Sequence, residues 1–203
     1  MKKILLTILF IVVSLNIRGE QKVGKLPMVV GEEISTDKIT LFCSYTSTDF
    51  VAYKIKTSPG IEKLLNGKIS NKERSESEMR DLYYRNMTLK GGDAGFRKAY
   101  LAVFTPEELK NLGNECMFVT PVWNSEGDIL DVGLSFSTDG KLADIPAEKV
   151  ATLAYEIKEN VKFNVIDDRL NYYDTGFELV CIPFSSILDE KPLFNEHWYN
   201  VKY

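Results

Sequence analysis

The sequence predicts an α+β fold, a mostly antiparallel sheet with helices packed on one face. Residues 116–136 read as a β-hairpin, because their second half alternates apolar and polar side chains as a half-buried strand does. The turn between the two halves contains Gly127, which is free to adopt a positive φ. Residues 146–157 then carry apolar side chains at helical spacing. We therefore expect a ββαβ unit over residues 115–184.

The first 19 residues have the pattern of a signal peptide. Lys2 and Lys3 precede an apolar run at 4–15, which is shorter than the roughly 20 residues that a membrane-spanning helix needs. Small or aliphatic residues lead up to Gly19, after which we place cleavage. We expect an exported protein, periplasmic or extracellular, with no stable membrane span after cleavage. An uncleaved N-terminal anchor is the alternative.

The charge balance argues against two classes of partner. Removing residues 1–19 removes three basic residues and no acid, which leaves 22 basic and 29 acidic residues and a formal net charge of −7. An acidic chain without basic clusters is poorly suited to nucleic acid or to an anionic membrane surface. We therefore predict no nucleic-acid partner.

The N-terminal half begins with a charged stretch at 20–38, which we interpret as an irregular leader. Two strands follow at 39–45 and 50–57, the second with one face turned to water. Ser58-Pro59 opens a short helix that ends at Gly67. Residues 70–87 carry capping-box spacing and one apolar stripe, which predicts a longer helix.

Residues 91–95, Gly-Gly-Asp-Ala-Gly, interrupt the helical pattern. A phosphate-binding loop is the alternative to a plain turn, but the Lys-Ser/Thr of a P-loop is missing and the preceding element is helical. Residues 96–104 favour a helix, and Thr105 begins another because proline follows it and Glu108 has capping-box spacing. These elements complete the first part, 39–113, of a single domain.

The C-terminal part of that domain, which spans 39–203 in all, contains two further strands. Residues 162–166 predict a short strand, and 167–175 a polar loop. Residues 177–184 predict the last strand, which is apolar on both faces and therefore expected in the interior of the sheet. Residues 185–203 form an aromatic-rich tail.

The three cysteines do not make a complete disulfide framework, because their number is odd. Cys43, Cys116 and Cys181 each lie in an apolar, strand-like run. They are either buried thiols that act as small hydrophobic side chains, or one disulfide with a thiol left over. A nucleophilic cysteine is disfavoured because the lone histidine, His197, lies beyond the last strand.

No pattern in the chain assigns catalytic, cofactor or metal residues, so we expect a protein that is not an enzyme. A Ser-His-Asp site lacks a suitably placed histidine, and the cysteines are too far apart in sequence for a zinc motif. Oxygen ligands at 124–128 or 167–168 allow a calcium site, but the first stretch fits a hairpin turn better. Carboxylates such as Glu178 cannot be paired across a cleft from sequence.

Aromatic side chains are the most suggestive candidates for contact with a ligand or partner. Exposed aromatic rings stack on sugars or anchor proteins. The alternative is that the tail folds back and buries its rings in the domain. The candidate contact residues lie in the polar loop and in the tail: Tyr172, Tyr173, His197, Trp198 and Tyr199.

The hairpin segment FVTPVWNSEGDILDVGLSFS resembles that of the C-terminal domain of TonB energy-transducing proteins. Residues 153–163 are similar to the helix of that domain, and 177–184 to its closing strand. The resemblance covers about a third of the chain and implies a ββαβ unit used for protein contact. A transmembrane anchor and a proline-rich linker are missing, so it does not imply energy coupling. Pro121, inside the first strand, suggests an edge or a bulge.

The whole chain is also similar to small exported proteins of unknown function from gut Bacteroidetes, through YYRNM and GFRKAYLAVFTPEEL. Two function hypotheses remain. The first is a non-enzymatic binding or protein-interaction module of the bacterial cell envelope. The alternative is a small-molecule or carbohydrate-binding protein, or a degenerate enzyme, with a cleft between the sheet and the N-terminal helices. A deep polar pocket favours the second hypothesis, and a flat apolar patch or open strand edge favours the first.

Overall fold

The structure is a computed structural model, and it describes most of the predicted domain. For residues 87–88, 165 and 176–177 it describes the backbone only. The helix predicted at 58–67, residues 70–86 of the helix predicted at 70–87, the loop 167–175 and the end of the tail lie outside the described residues. The described residues are 26, 29–57, 87–88, 92–124, 126–165, 176–177 and 180–193.

The described strands follow the predicted order, and two short strands, Glu33–Ser35 and Met87–Thr88, are additional. The predicted strands at 39–45 and 50–57 are confirmed as β2 and β3, and the hairpin as β5 and β6. The strands are β1 (Glu33–Ser35), β2 (Thr40–Thr46), β3 (Phe50–Ile55), β4 (Met87–Thr88), β5 (Cys116–Trp123), β6 (Ile129–Ser137), β7 (Asn164–Val165), β8 (Gly176–Phe177) and β9 (Val180–Pro183).

In the part of the chain that the structure describes, three α-helices and two 3-10 helices connect the strands. They are α1 (Gly92–Val103), α2 (Pro106–Leu112) and α3 (Ala147–Asn160), with 3-10 turns at Lys141–Asp144 and Phe184–Leu188. The predicted start of α2 is confirmed: Thr105 accepts a hydrogen bond from the Glu108 N–H, and the Glu108 carboxylate accepts one from the Thr105 N–H. Both bonds satisfy donors that a helix start leaves free.

The main sheet has the order β1-β2-β3-β6-β5, and β8 and β9 both pair with the free side of β5. All these pairings are antiparallel, whereas β4 and β7 form a separate two-stranded sheet. Helix α3 packs against β6 and β1, and α1 packs against α3. The α+β class with helices on one face of an antiparallel sheet is therefore confirmed.

The core lies between the sheet and α3. Side chains on the inner face of every long strand are buried, because the period of two points alternate residues toward the helix. At the hairpin-turn end, the Trp123 ring packs edge-on against Phe163, 4.8 Å between centroids. The inner-face residues include Leu41, Cys43, Val51, Tyr53, Met117, Val119, Val132, Leu134, Phe136, Val180 and Ile182.

The last predicted strand is present but does not lie in the interior of the sheet. β8 and β9 keep one common register on β5, as Val122 lies opposite Phe177 and Val119 opposite Val180. They end the order of the described strands. Two apolar faces therefore did not indicate an interior position here. Pro121 also lies in an interior strand, and the adjacent bulge falls at Val122 and Trp123.

Three local predictions need correction. Within the predicted irregular leader, Glu33–Ser35 pair with β2 as a strand, and Leu26 is buried in the core. Residues 92–95 are not a turn but the first turn of α1. Met87, the predicted end of a helix, belongs to β4. In each case pairing or packing with a distant part of the chain outweighs the local pattern.

Asn124, Glu126 and Asp128, whose sequence spacing also allows a calcium site, lie in the hairpin turn. Asn124 is 3% exposed, and its side-chain oxygen accepts hydrogen bonds from the Glu126 and Asp128 N–H groups. Gly127 has a φ of 80° and its carbonyl accepts from the Phe163 N–H, 3.0 Å away. The Asn124 side chain is therefore engaged by the turn itself, as the sequence predicted.

Candidate functional site

The five predicted contact residues cannot be placed in a site. Tyr172 and Tyr173 fall in 166–175, and His197, Trp198 and Tyr199 fall in 194–203, both outside the described residues. Their role stays a prediction. Within the described residues, the sheet face opposite α3 carries several partly exposed apolar side chains.

We call the sheet face opposite α3 the outer face. Its side chains alternate with the buried ones, so β5 presents Phe118 and Val122 outward, β2 presents Phe42, and β3 presents Phe50. All four are partly exposed. The rings of Phe50 and Phe118 lie 6.1 Å apart between centroids. The solvent-facing side of an antiparallel sheet is ordinarily polar, so these four partly exposed apolar side chains call for an explanation.

The aromatic side chains surround a strip of small residues in the middle of the outer face. One row across the sheet reads Tyr45, Ala52, Ser135, Phe118 and Cys181, each opposite its neighbour. Tyr45 ends the row at 54% exposure. The middle of this row thus carries the short side chains of Ala52 and Ser135.

A disulfide closes the other end of this row. Cys116 of β5 and Cys181 of β9 are bonded, with their Cα atoms 6.0 Å apart, while Cys43 is a free, buried thiol. Of the two alternatives that the sequence left open, one bridge with a leftover thiol is therefore the observed one. The bridge ties the end strand to the sheet, and Cys181 is exposed.

Asp131 is the polar group of the outer face that stands apart. Among the described residues, Asn124 and Asp131 are the two buried polar side chains, at 3% and 7% exposure. The side-chain oxygen of Asn124 accepts two hydrogen bonds within its own turn. The Asp131 carboxylate accepts one hydrogen bond, through Oδ1, from the N–H of the adjacent Val132 at 2.8 Å. It forms no ion pair within the described part of the chain.

The environment of Asp131 opposes its ionisation. Burial raises the pKa of this carboxyl above its ordinary value of 3.8, although the Val132 N–H and the charges of Lys54 and Lys158 act the other way. A raised pKa in the folded state means that the ionised carboxylate lowers the stability of the fold. An uncharged side chain of similar shape at position 131 is therefore expected to give a more stable protein at neutral pH.

Replacing Asp131 with asparagine is expected to raise the thermal midpoint at pH 7. The amide oxygen can still accept from the Val132 N–H, while the cost of burying a charge disappears. The gain should be complete above the folded-state pKa and should shrink as the pH falls through the interval down to about 3.8. Thermal unfolding of both proteins between pH 3 and pH 8 measures it. A midpoint that falls at pH 7 would contradict this account.

The sequence contained one signal for the outer face. The run Cys116–Trp123 carries apolar or near-apolar residues on both faces, as Phe118 and Val122 alternate with Met117 and Val119. Such a pattern ordinarily indicates a strand covered on both sides. Asp131, by contrast, resembles any polar residue of an alternating strand in sequence, and its burial is seen only in the folded structure.

Within the described ranges, no cluster of three or more His, Cys, Asp or Glu side chains could hold a metal ion. No helix in those same ranges is long and apolar enough to cross a membrane.

Comparison with known proteins gives a fold relative. No protein-family model matches the chain, and no curated protein matches it. A solved structure, that of a DUF5043 family protein from Bacteroides uniformis, is similar with a TM-score of 0.51. The two chains are 13% identical, and the alignment covers 78% of this chain and 86% of the other. At this identity the likeness shows the fold alone: the chain is an α+β protein built like that DUF5043 family protein.

Proposed function

We propose that this protein is an exported, non-enzymatic interaction module of the bacterial cell envelope that binds another protein through the outer face. The observation that carries this proposal is the set of partly exposed apolar side chains on the face opposite the packed helices, Phe42, Phe50, Phe118 and Val122, of which Phe50 and Phe118 are in ring contact. Apolar side chains exposed on a folded domain can mark a site of protein contact.

The disulfide supports the exported location. Structural disulfides persist in oxidising compartments such as the periplasm and the cell exterior, and they are rare in the cytosol. Cys116 and Cys181 are bonded across two strands of the main sheet. The signal-peptide pattern at 1–19 points to the same location, and its cleavage after Gly19 remains part of this proposal.

Both resemblances of the sequence belong to this proposal. The order of hairpin, α3 and returning strand is what the TonB-like resemblance implies, and there the ββαβ unit serves protein contact. A fold relative from Bacteroides fits the likeness to small exported Bacteroidetes proteins. The family designation of that relative, DUF5043, names no activity.

The alternative, a small-ligand or carbohydrate-binding protein, uses a cleft beside the N-terminal helices predicted at 58–87. Residues 58–86 lie outside the described part, and the described core between sheet and α3 is filled by apolar side chains. On the outer face, the partly exposed ring of Phe118 lies beside the small side chain of Ser135, whereas a small-ligand site is typically a concave pocket with convergent polar groups. We therefore favour a protein partner.

Site-specific photo-crosslinking in the producing cell tests the proposal. A photoreactive phenylalanine analogue replaces Tyr45 or Thr120 on the outer face, in full-length protein with its own signal segment. The matched control places it at Glu148, an exposed position of α3 on the other side of the sheet. We expect one dominant envelope protein to be captured from both outer-face positions and not from Glu148.

The same assay separates the contributions of the outer face and the aromatic loop and tail. We expect Phe118→Ser to abolish the crosslink from Tyr45, and Tyr173→Ala or Trp198→Ala to weaken it if the predicted contacts take part. Equal capture from Glu148, or no capture from either outer-face position, would refute the proposed contact surface. A glycan bound by the same protein would then favour the alternative.

A further inference from the structure

We propose that Asp131 is the charged anchor of the outer face, and that it pairs with a lysine or arginine side chain carried by an apolar segment of the partner. The inference rests on the proposed function and adds to it the chemistry of the partner. The phenylalanine and valine side chains of the outer face favour contact with apolar side chains of a partner. Asp131 adds one position at which a cation is preferred.

The geometry of Asp131 leaves part of its carboxylate to be satisfied from outside. Its neighbours on β6, Val132 and Leu134, point into the core, so alternation directs Asp131 to the outer face beside Val122 of β5. Oδ1 accepts from the Val132 N–H, and the described residues offer no other hydrogen-bond donor to the group. The side chain is 7% exposed, so some of its surface remains open to solvent.

Buried carboxylates are ordinarily hydrogen-bonded or paired, because an uncompensated buried charge is costly. The two cations that influence Asp131, Lys54 and Lys158, form no ion pair with it. Lys54 is on the same face and exposed, and Lys158 belongs to α3 on the other side of the sheet. A cation supplied by a partner would complete the site that these two leave open.

The size of the outer face indicates one segment of a partner rather than a second copy of this chain. The outer face spans five strands about 4.8 Å apart and four rows of outward side chains about 7 Å apart. These spacings give a patch of about 400 Å². A stable interface typically buries about 800 Å² on each partner. The patch is therefore small for a self-sufficient dimer and matches one helix of about four turns or a short extended segment.

The charge of the chain favours a basic segment. After removal of residues 1–19 the net charge is −7, which attracts positively charged partners at long range. On the outer face, small residues such as Gly133 and Ser135 lie next to Asp131 and let a long side chain approach along the sheet. Lysine and arginine have the apolar stems for that path.

Selection from a random peptide library tests the inference without a known partner. Display libraries of 12-residue peptides are selected on the full mature chain, and the enriched peptides are synthesised and titrated against wild type and Asp131→Asn. We expect an enriched family with apolar residues and one lysine or arginine at a constant position. Asp131→Asn should weaken its binding about tenfold, although this variant folds at least as stably.

A double-mutant cycle assigns the effect to the pair. Replacing the basic residue of the peptide with glutamine should cost the same factor on wild type and nothing further on Asp131→Asn. The matched control is Asp144→Asn, an exposed aspartate away from the outer face, which should leave binding unchanged.

The possible failures are distinguishable. An enriched family that depends on Phe118 but lacks a basic position, or that binds Asp131→Asn equally well, would overturn the role of Asp131 and keep the outer face as a contact surface. Failure to enrich any peptide whose binding is lost in Phe118→Ser would overturn the proposed function, and with it this inference.

Discussion

Gly95→Ala is expected to destabilise the protein by about 3 kcal/mol, although alanine is the better helix former. A β-carbon at this position of α1 would lie 2.7 Å from the Cα of Val161 and closer still to the carbonyl oxygen of Asn160. Both obstacles are backbone at the end of α3, so they cannot rotate away. The two helices must separate, and their contact with the sheet is lost in part.

Urea unfolding, followed by far-UV circular dichroism, measures this loss. The matched control is Gly133→Ala on the outer face, where the nearest atom to the added carbon is the Cβ of Thr120 at 3.4 Å. We expect the control to change the unfolding free energy by less than about 1 kcal/mol. A Gly95→Ala protein as stable as wild type would mean that α1 and α3 do not approach so closely.

Gly95 also illustrates what local sequence could and could not predict. The sequence Gly-Gly-Asp-Ala-Gly has low helix propensity, so a turn was the reasonable prediction. The structure places these residues in α1 because Gly92 and Gly95 allow the helix to approach Phe163 and the end of α3. That requirement comes from a part of the chain some 65 residues later, and no local pattern records it.

Elements defined by nearby residues were predictable. The hairpin at 116–137 follows from the alternation of apolar and polar side chains and from a glycine turn. The start of α2 follows from Thr105 and Glu108, which lie three residues apart. β1 was missed because three residues, with Ile34 alone buried, are too few to show a period. Its pairing with β2 supplies the stability that its own sequence does not indicate.

The candidate site was less predictable than the fold. The aromatic residues of the loop and tail are close together in the sequence, whereas Phe50 and Phe118 are far apart in the sequence and come together through strand pairing. The burial of Asp131 likewise cannot be inferred from the alternation of its own strand. Binary patterning identifies which face a residue occupies, but not whether that face is unusually apolar once the strands are in order.

Removing the disulfide is expected to produce the largest loss of stability. The bridge joins residues 65 apart in sequence, and closing a loop of that length stabilises a fold by about 4 kcal/mol through the entropy of the unfolded chain. We expect the double variant Cys116→Ser/Cys181→Ser to unfold at a thermal midpoint roughly 10 °C or more below wild type. β9 should be the first strand to open, because it ends the order of the described strands.

Thiol titration and reduction provide the matching measurements. Unfolded wild-type protein should expose one thiol, that of Cys43, before reduction, and three thiols after it. Reductant should lower the midpoint of wild type to that of the double variant and should leave the double variant unchanged. Cys43→Ala serves as the control, since it should retain the full response to reductant. Three reactive thiols in unreduced protein isolated from the producing cell would contradict the bridge and remove its support for the exported location.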